Sequence, residues 1–422
     1  MIPAATTTLA VTTTALEAAS TDVESLLHLA DARNPLVWLR YGEGLIGSGE
    51  ALRLSFTGPH RFTDAAAAWR AVVSNATIDD QVGVPGTGLV AFGSFAFAAG
   101  SSATSTLVVP HVIIGRREGR AWLTRITLRN SNGSAAPEVD AYTPIGTPPG
   151  PAYPLEFIRG TLDAAGYASA VRTAVARIAA GELGKVVLAR DIFAPIPEDA
   201  DLRHPLLRLA TSYPDTWTFA LDGLIGSSPE TLVRVDHKAV SARVLAGSTG
   251  RQIDPDADRQ AAAALLGSAK NREEHGFAVR SILESLSPHT SALKVSEEPF
   301  TLRLPNIWHL ASDLEGVLGG GSSSLDLLSA LHPTAAVAGT PTAAALNVID
   351  DLEPFDRGLY AGPVGWVDAR GDGEWAVALR CGQVADGRVT AYAGCGIVAG
   401  SEPQRELAET RLKFRPIVDA FA

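Results

Sequence analysis

GDGEWAVALRCGQVADGRVTAYAGCGIVAGSEPQRELAETRLK, residues 371–413, decides the fold class. Trp375 to Val384 and Val389 to Val398 are apolar runs with strand composition, and Ala385–Arg388 between them reads as a turn that pairs them. Glu402 to Phe421 then reads as a terminal helix. Two paired strands followed at once by a helix do not keep the even βα rhythm of a barrel. The stretch therefore predicts a mixed α+β fold.

Upstream segments agree. Lys185 to Arg190 (KVVLAR) is a strand that follows a helix over Tyr167 to Leu183, whose apolar residues fall near helical spacing. Thr218–Ile225 reads as a further strand. Asp256 to Leu286 reads as one long helix, with Pro288 just past its end. Leu325–Ala330 and Ala343–Leu352 are shorter helical segments. From Leu36 to Leu128 short apolar runs (Leu36–Leu39, Gly88–Phe97, Thr106–Ile114, Ala121–Ile126) alternate with Gly, Ser, Asn and Pro, the punctuation of strands and turns. Residues 1–20 are Ala/Thr-rich and aperiodic and read as a mobile lead-in. Residues 130–154 are rich in Ser, Gly and Pro and have linker composition.

Composition excludes several classes. With 422 residues, 46% hydrophobic and 19% charged, the chain is globular in composition and not disordered. No apolar run is long enough to span a membrane. Met1 to Ala19 carries no Lys or Arg, so a secretory signal is not expected and the cytoplasm is. Asp+Glu 46 against Lys+Arg 35 gives a net charge of -11, which disfavours nucleic acid as a partner. The two cysteines, Cys381 and Cys395, are too few for a disulfide framework, have no zinc-site spacing, and read as small core residues. Lysine is scarce: of the 35 basic residues only Lys185, Lys238, Lys270, Lys294 and Lys413 are lysine. Only lysine can lose its proton in a useful pH range, so a lysine kept in an arginine-rich chain is a candidate amine.

Four groups are candidates for chemistry. Lys185 opens an apolar strand, where desolvation lowers an amine's hold on its proton and makes a neutral general base conceivable. Glu230, in Gly-Ser-Ser-Pro-Glu, lies beside an apolar run, where a carboxyl can stay protonated and act as an acid. Each of these two, taken alone, reads more readily as a strand-end or turn charge in water. Glu273 and Glu274 on one helix, and Glu406 and Glu409 at i,i+3 on another, offer carboxylates of the kind Mg²⁺ prefers; a solvated helix face is the bland alternative. Arg380 ends a strand whose small neighbours Ala376 and Ala378 leave room for a carboxylate on its planar fork. On the adjoining strand Tyr392, Gly394 and Gly396 share a face where a ligand could approach the backbone. No P-loop, GxGxxG, GxSxG or HExxH pattern is present.

Together these segments resemble the chorismate-utilising enzymes: isochorismate, salicylate, anthranilate and aminodeoxychorismate synthases. The resemblance runs from about Gly160 to Ala422 through GELGKVVLAR (181–190), GSSPETLVRV (226–235), LAGSTGR (245–251), SAKNREEHGFAV (268–279), IWHL (307–310), HPTAAVAGTP (332–341), FDRGLYAGPVGW (355–366), GDGEWAVALR (371–380) and the stretch from Tyr392 to Lys413. Within the family it looks most like an isochorismate synthase: His332-Pro-Thr stands where the anthranilate and salicylate enzymes usually have Phe-Pro, Ala336 where they usually have threonine, and Thr342 where they usually have lysine.

The resemblance implies a chorismate-binding, anthranilate-synthase-like α+β fold with two facing β-sheets and helices packed outside. Residues 21–422 then form a single enzyme domain, with 21–155 a divergent N-terminal part and 156–422 the catalytic part; the 130–154 stretch becomes an internal crossing. It implies Mg²⁺-dependent conversion of chorismate to isochorismate, Lys185 being the general base and Glu230 the general acid. By family position Glu274 and Glu409 are the direct metal ligands, with Glu406 through water. Arg380, Tyr392, Ala336 and the backbone near Gly247, Gly394 and Gly396 would hold the substrate, and His309 in IWHL lies near the ring in an open role. Asn271 departs from the family, which often places an acid there. The expected partner is the small molecule alone, with no membrane, no amidotransferase subunit and a monomeric state. A salicylate synthase and an inactive chorismate-binding protein are the competing readings. Isochorismate opens menaquinone, siderophore and salicylate routes alike.

Overall fold

A computed structural model describes residues 7–16, 23–130, 146–304 and 307–422. Among these residues are one 13-stranded and one 10-stranded sheet, almost wholly antiparallel, with helices on their outer faces. This is the α+β architecture with two facing sheets. The Leu36–Arg40 strand of the larger sheet shows how period two builds the layers. Trp38 points into the core between the sheets and donates its indole N–H to Glu374 of the smaller sheet at 3.0 Å. Val37 and Leu39 point the other way, onto a second core. That outer core is capped by Leu206 and Leu209 of the Arg203–Ser212 helix and by Phe414 and Ile417 of the Pro403–Ala420 helix.

Four expectations change. Thr7–Leu16 is a strand, laddered over its whole length against Arg120–Asn130, and not part of a mobile lead-in. Leu9, Val11 and Thr13 alternate inward, and Thr13 and Thr124 share a hydrogen bond at 2.8 Å. Threonine's branched side chain suits a pleated surface although its polarity hides the pattern. The rest of the expected lead-in, and residues 131–145 of the 130–154 crossing, lie outside the described residues. The expected long helix is two, Pro255–Gly267 and Ala269–Leu286, because Ser268 is extended (ψ 117°) and caps the second by accepting from Asn271 N. The expected strand Thr218–Ile225 is a hairpin of Trp217–Leu221 and Leu224–Ser228. Asp222 and Gly223 have positive φ of 51° and 75°, the turn that an Asp-Gly pair favours.

The fourth change builds the site. Trp375–Val384 is not one strand: Gly373–Val377 lies in the smaller sheet and Cys381–Ala385 in the larger. The chain crosses between sheets at Ala378–Arg380, where Arg380 takes a left-handed φ of 51°. A second crossing, at Pro229–Glu230, joins Leu224–Ser228 to Thr231–Asp236. The crossings are tied together: Ser228 Oγ donates to Val377 O at 2.6 Å, Val377 N to Glu230 O at 3.1 Å, and Ser227 N to Arg380 O at 3.2 Å. A non-glycine residue held at positive φ costs about 1–2 kcal/mol, and these contacts hold it there.

Candidate active site

The two crossings floor a cavity of about 50 Å³ in the seam between the sheets. Its wall includes Glu230, Gly247, Glu274, His309, Ala336 and Arg380, six of the residues singled out from sequence. Gly394 and Gly396 of the Arg388–Ile397 strand line it too. Beside it, sharing Ser248, opens a wider cleft of about 510 Å³ walled by Lys270, Asn271, Glu406 and Glu409. Small-ligand sites usually enclose about 300–1,000 Å³, so the inner cavity needs the cleft to hold a ring compound.

Lys185 begins the Lys185–Pro195 strand and is 0% exposed. Its amine lies 3.6 Å from Glu274 Oε1 and has no hydrogen-bond partner among the described residues. Burial lowers its hold on the proton, opposed by the carboxyls of Glu274 and Glu230. Its own atoms do not form the cavity wall; Glu274 and Gly396 stand in front of it. Glu230 is 3% exposed, and burial pushes its carboxyl up to about 8 although Lys185, Arg380 and Lys413 pull it down. One buried amine tends to shed its proton and one buried carboxyl tends to keep its own, the carboxyl in the cavity wall and the amine behind it.

Glycine has a particular use here. A Cβ on Gly396 would fall on Glu274 Oε1 and 2.9 Å from Lys185 Cε, so the missing side chain makes room for that pair. Gly247 has φ +84°, and a Cβ there would meet Asn271 Cβ at 3.0 Å; its absence lets the Ala269–Leu286 helix approach. His275, behind Glu274, bridges Ala246 O (3.2 Å) and Ser312 Oγ (2.9 Å) and fastens that helix to the sheet.

Tyr392 is not brought to the cavity. It stacks on Tyr360 with ring centroids 5.1 Å apart, and Tyr360 takes its place in the wall. Its ring finds more apolar contact against Tyr360 and Phe355 than a polar cavity offers. The carboxylates also divide. Glu406 and Glu409 lie together, with ligand atoms within 4.8 Å of each other and of Cys395 Sγ, whereas Glu274 faces Lys185 and is not in that group. Lys270 Nζ binds Glu406 at 2.8 Å and Lys413 Nζ binds Glu409 at 2.6 Å. Burial and the neighbouring Glu409 carboxyl raise Glu406, while Lys413 holds Glu409 down against burial. A buried carboxylate, Glu406, crowded against a half-buried one, Glu409, beside a cleft is a hard-oxygen donor set that fits Mg²⁺. Cys395 fits it poorly: burial drives its thiol well up, and its S–H points to Glu406 O at 3.3 Å.

Residue-by-residue reading missed three groups. Lys413 lines the cavity and donates to Gly394 O at 2.9 Å. Lys270 lines the cleft. Three of the chain's scarce lysines thus converge on one place, and their scarcity was the signal. The third group is the buried pair Glu353–Arg357. Arg357 donates to Val187 O (2.8 Å) and Val337 O (2.9 Å), and Glu353 accepts from Ala189 N (2.7 Å). The pair ties the Lys185 strand to the turn carrying Ala336. Two charges four apart before Gly358 were legible, but not what they hold.

A family model described as chorismate binding enzyme matches residues 9–422. The isochorismate synthase DhbC of Bacillus subtilis is 41% identical over 267 residues, 60% of this chain and 67% of that protein. EntC of Escherichia coli, also an isochorismate synthase, is 40% identical over 256 residues, 60% of this chain and 66% of that protein. These alignments span about two thirds of the relatives' length. Solved structures overlay more fully. A putative 2,3-dihydroxybenzoate-specific isochorismate synthase from Bacillus anthracis has a TM-score of 0.77 at 30% identity, covering 94% of this chain and 99% of its own. The menaquinone-specific isochorismate synthase MenF of Escherichia coli has 0.79 at 27%, covering 98% and 96%. Anthranilate synthase component I of Streptococcus pneumoniae shares the fold at 0.61 and 19% identity, covering 96% and 86%.

Proposed function

The chain belongs to the chorismate-binding enzyme family, and from that premise we propose that it isomerises chorismate to isochorismate. The observation that carries this is the buried pair of opposite tendency, Glu230 in the cavity wall and Lys185 just behind Glu274 and Gly396 of that wall. Hydroxide leaves poorly, so its carbon–oxygen bond needs an acid. Water attacks weakly, so it needs a base. In the proposed reaction neutral Lys185 takes a proton from water as the water oxygen bonds to ring C2. The double bonds shift, the C4–oxygen bond breaks, and Glu230 gives its proton to the departing hydroxyl. One water enters and one leaves, so substrate and product are isomers. Glu274 stands before the amine, so the reaction requires that side chain to turn aside and let water reach Lys185.

Arg380 and Lys413, both cations in the wall, would receive the substrate carboxylates, and Ala336 with Val337 supplies a small apolar side. Glu406 and Glu409 would hold Mg²⁺, whose charge anchors a carboxylate of the substrate, whereas Glu274, expected as a direct ligand, stands apart against Lys185. No amidotransferase subunit is needed, because water is the only second reactant. Among the described residues no helix is long and apolar enough to cross a membrane. A cytoplasmic monomer is the arrangement we propose.

Incubating the purified chain with chorismate and Mg²⁺ and separating the products by chromatography tests the reading. Isochorismate as the sole product is expected. Salicylate with pyruvate would instead identify a lyase, and tight chorismate binding without turnover an inactive binding protein.

A further inference from the structure

His309, on the Ile307–Leu318 strand, has both ring nitrogens engaged. Arg380 Nη2 lies 3.1 Å from Nε2, and Ser248 Oγ lies 2.8 Å from Nδ1. A guanidinium only donates, so Nε2 is the bare, accepting nitrogen. Nδ1 therefore carries the proton and donates to Ser248. The ring is 4% exposed, and burial together with Arg380 and Lys413 holds its pKa far below the ordinary value. It is a neutral imidazole with no lone pair and no proton left for a substrate.

Arg380 is the other half of the arrangement. It is buried, it sits at a strained crossing, and among the described residues no carboxylate forms an ion pair with it. A guanidinium on a flexible stem loses rotamer freedom when it binds, and a fixed acceptor on one nitrogen removes that freedom beforehand.

We propose that His309 is a positioning residue: backed by Ser248, it accepts one N–H of Arg380 and fixes the guanidinium plane, leaving the other donors for a carboxylate of the substrate. It moves no proton in the reaction. This rests on the chorismate reading for the identity of that carboxylate.

Steady-state kinetics of His309→Phe, His309→Gln and Ser248→Ala test it. His309→Phe keeps the bulk but loses the acceptor, and should raise KM for chorismate about tenfold or more while kcat changes less than about threefold. His309→Gln restores an acceptor toward Arg380 and a donor toward Ser248, and should recover most of the affinity. Ser248→Ala should raise KM to a smaller extent. Both limbs of the pH–rate profile should stay where they are in every variant. A fall of about 100-fold in kcat for His309→Gln, with loss of one limb, would make His309 an acid or base and overturn the proposal. Unchanged KM in His309→Phe would overturn it as well. Calorimetric chorismate binding to Glu230→Gln and to Glu230→Gln/His309→Phe gives the same comparison without turnover. Wild-type protein that neither binds nor converts chorismate would defeat the functional reading itself, a result distinct from either of these.

Discussion

The Glu274 carboxylate occupies the space that a side chain at Gly396 would fill. A Cβ there would land on Glu274 Oε1 and stand 2.9 Å from Lys185 Cε. Gly396→Ala must therefore push the amine and the carboxylate apart. Overpacking of this kind costs about 1–3 kcal/mol. We expect a lowered melting temperature and a rate reduced about tenfold or more, measured by calorimetry and product formation. An ordinary rate in the Gly396→Ala variant would mean that the pair's spacing is unimportant.

Glu230→Gln should lose about 10²-fold or more in rate, the usual worth of a positioned acid. The wild-type kcat/KM should fall as pH rises through about 8, where the Glu230 carboxyl ionises. Stability carries the same signature. The folded carboxyl keeps its proton to about 8 and the unfolded one only to 4.5, so between these values folding loses stability as pH rises. Glu230→Gln removes that loss. The melting temperature of the variant relative to wild type should increase from pH 5 to pH 8; a constant difference would refute a displaced Glu230.

Lys185→Ala should also lose about 10²-fold or more in rate. Burial lowers the amine's pKa below its ordinary 10.5, and the base must be neutral. The acid limb of the profile therefore belongs to Lys185, with rate falling as pH falls through its lowered value. Near-wild-type turnover by the alanine variant would remove Lys185 from the mechanism.

Chelation by EDTA should abolish turnover, and added Mg²⁺ should restore it. Binding can be read without catalysis: Mg²⁺ should raise the melting temperature of the wild-type chain, and Glu409→Gln should reduce that shift. A stabilisation by Mg²⁺ that is equal in both proteins would place the ion elsewhere.

Arg357→Ala leaves the Glu353 carboxylate buried and unpaired and strips the bonds to Val187 O and Val337 O. Breaking a buried pair on one side costs about 3–5 kcal/mol. Denaturant unfolding should show a loss of that order, and an exposed control such as Arg259→Ala should show almost none. A loss below about 1 kcal/mol would mean the strut carries little load.

Local pattern by itself determined the α+β class, the hairpin through Asp386–Gly387, the terminal helix and the residue types able to do acid–base and metal chemistry. These are short-range properties: period two, turn chemistry, and the scarcity of lysine. Pattern misread residues 7–16 because threonine hides strand alternation, and it ran Trp375–Val384 as one strand because nothing local announces a crossing between sheets. Only the tertiary structure decided which carboxylate meets which lysine, that Tyr392 packs on Tyr360 outside the cavity, and that Arg357 braces the Lys185 strand. The physical reason is that a proton's affinity and a guanidinium's direction depend on burial and on neighbours brought from distant parts of the chain, such as Glu274 to Lys185 and His309 to Arg380, and these exist only once the two sheets have closed on each other.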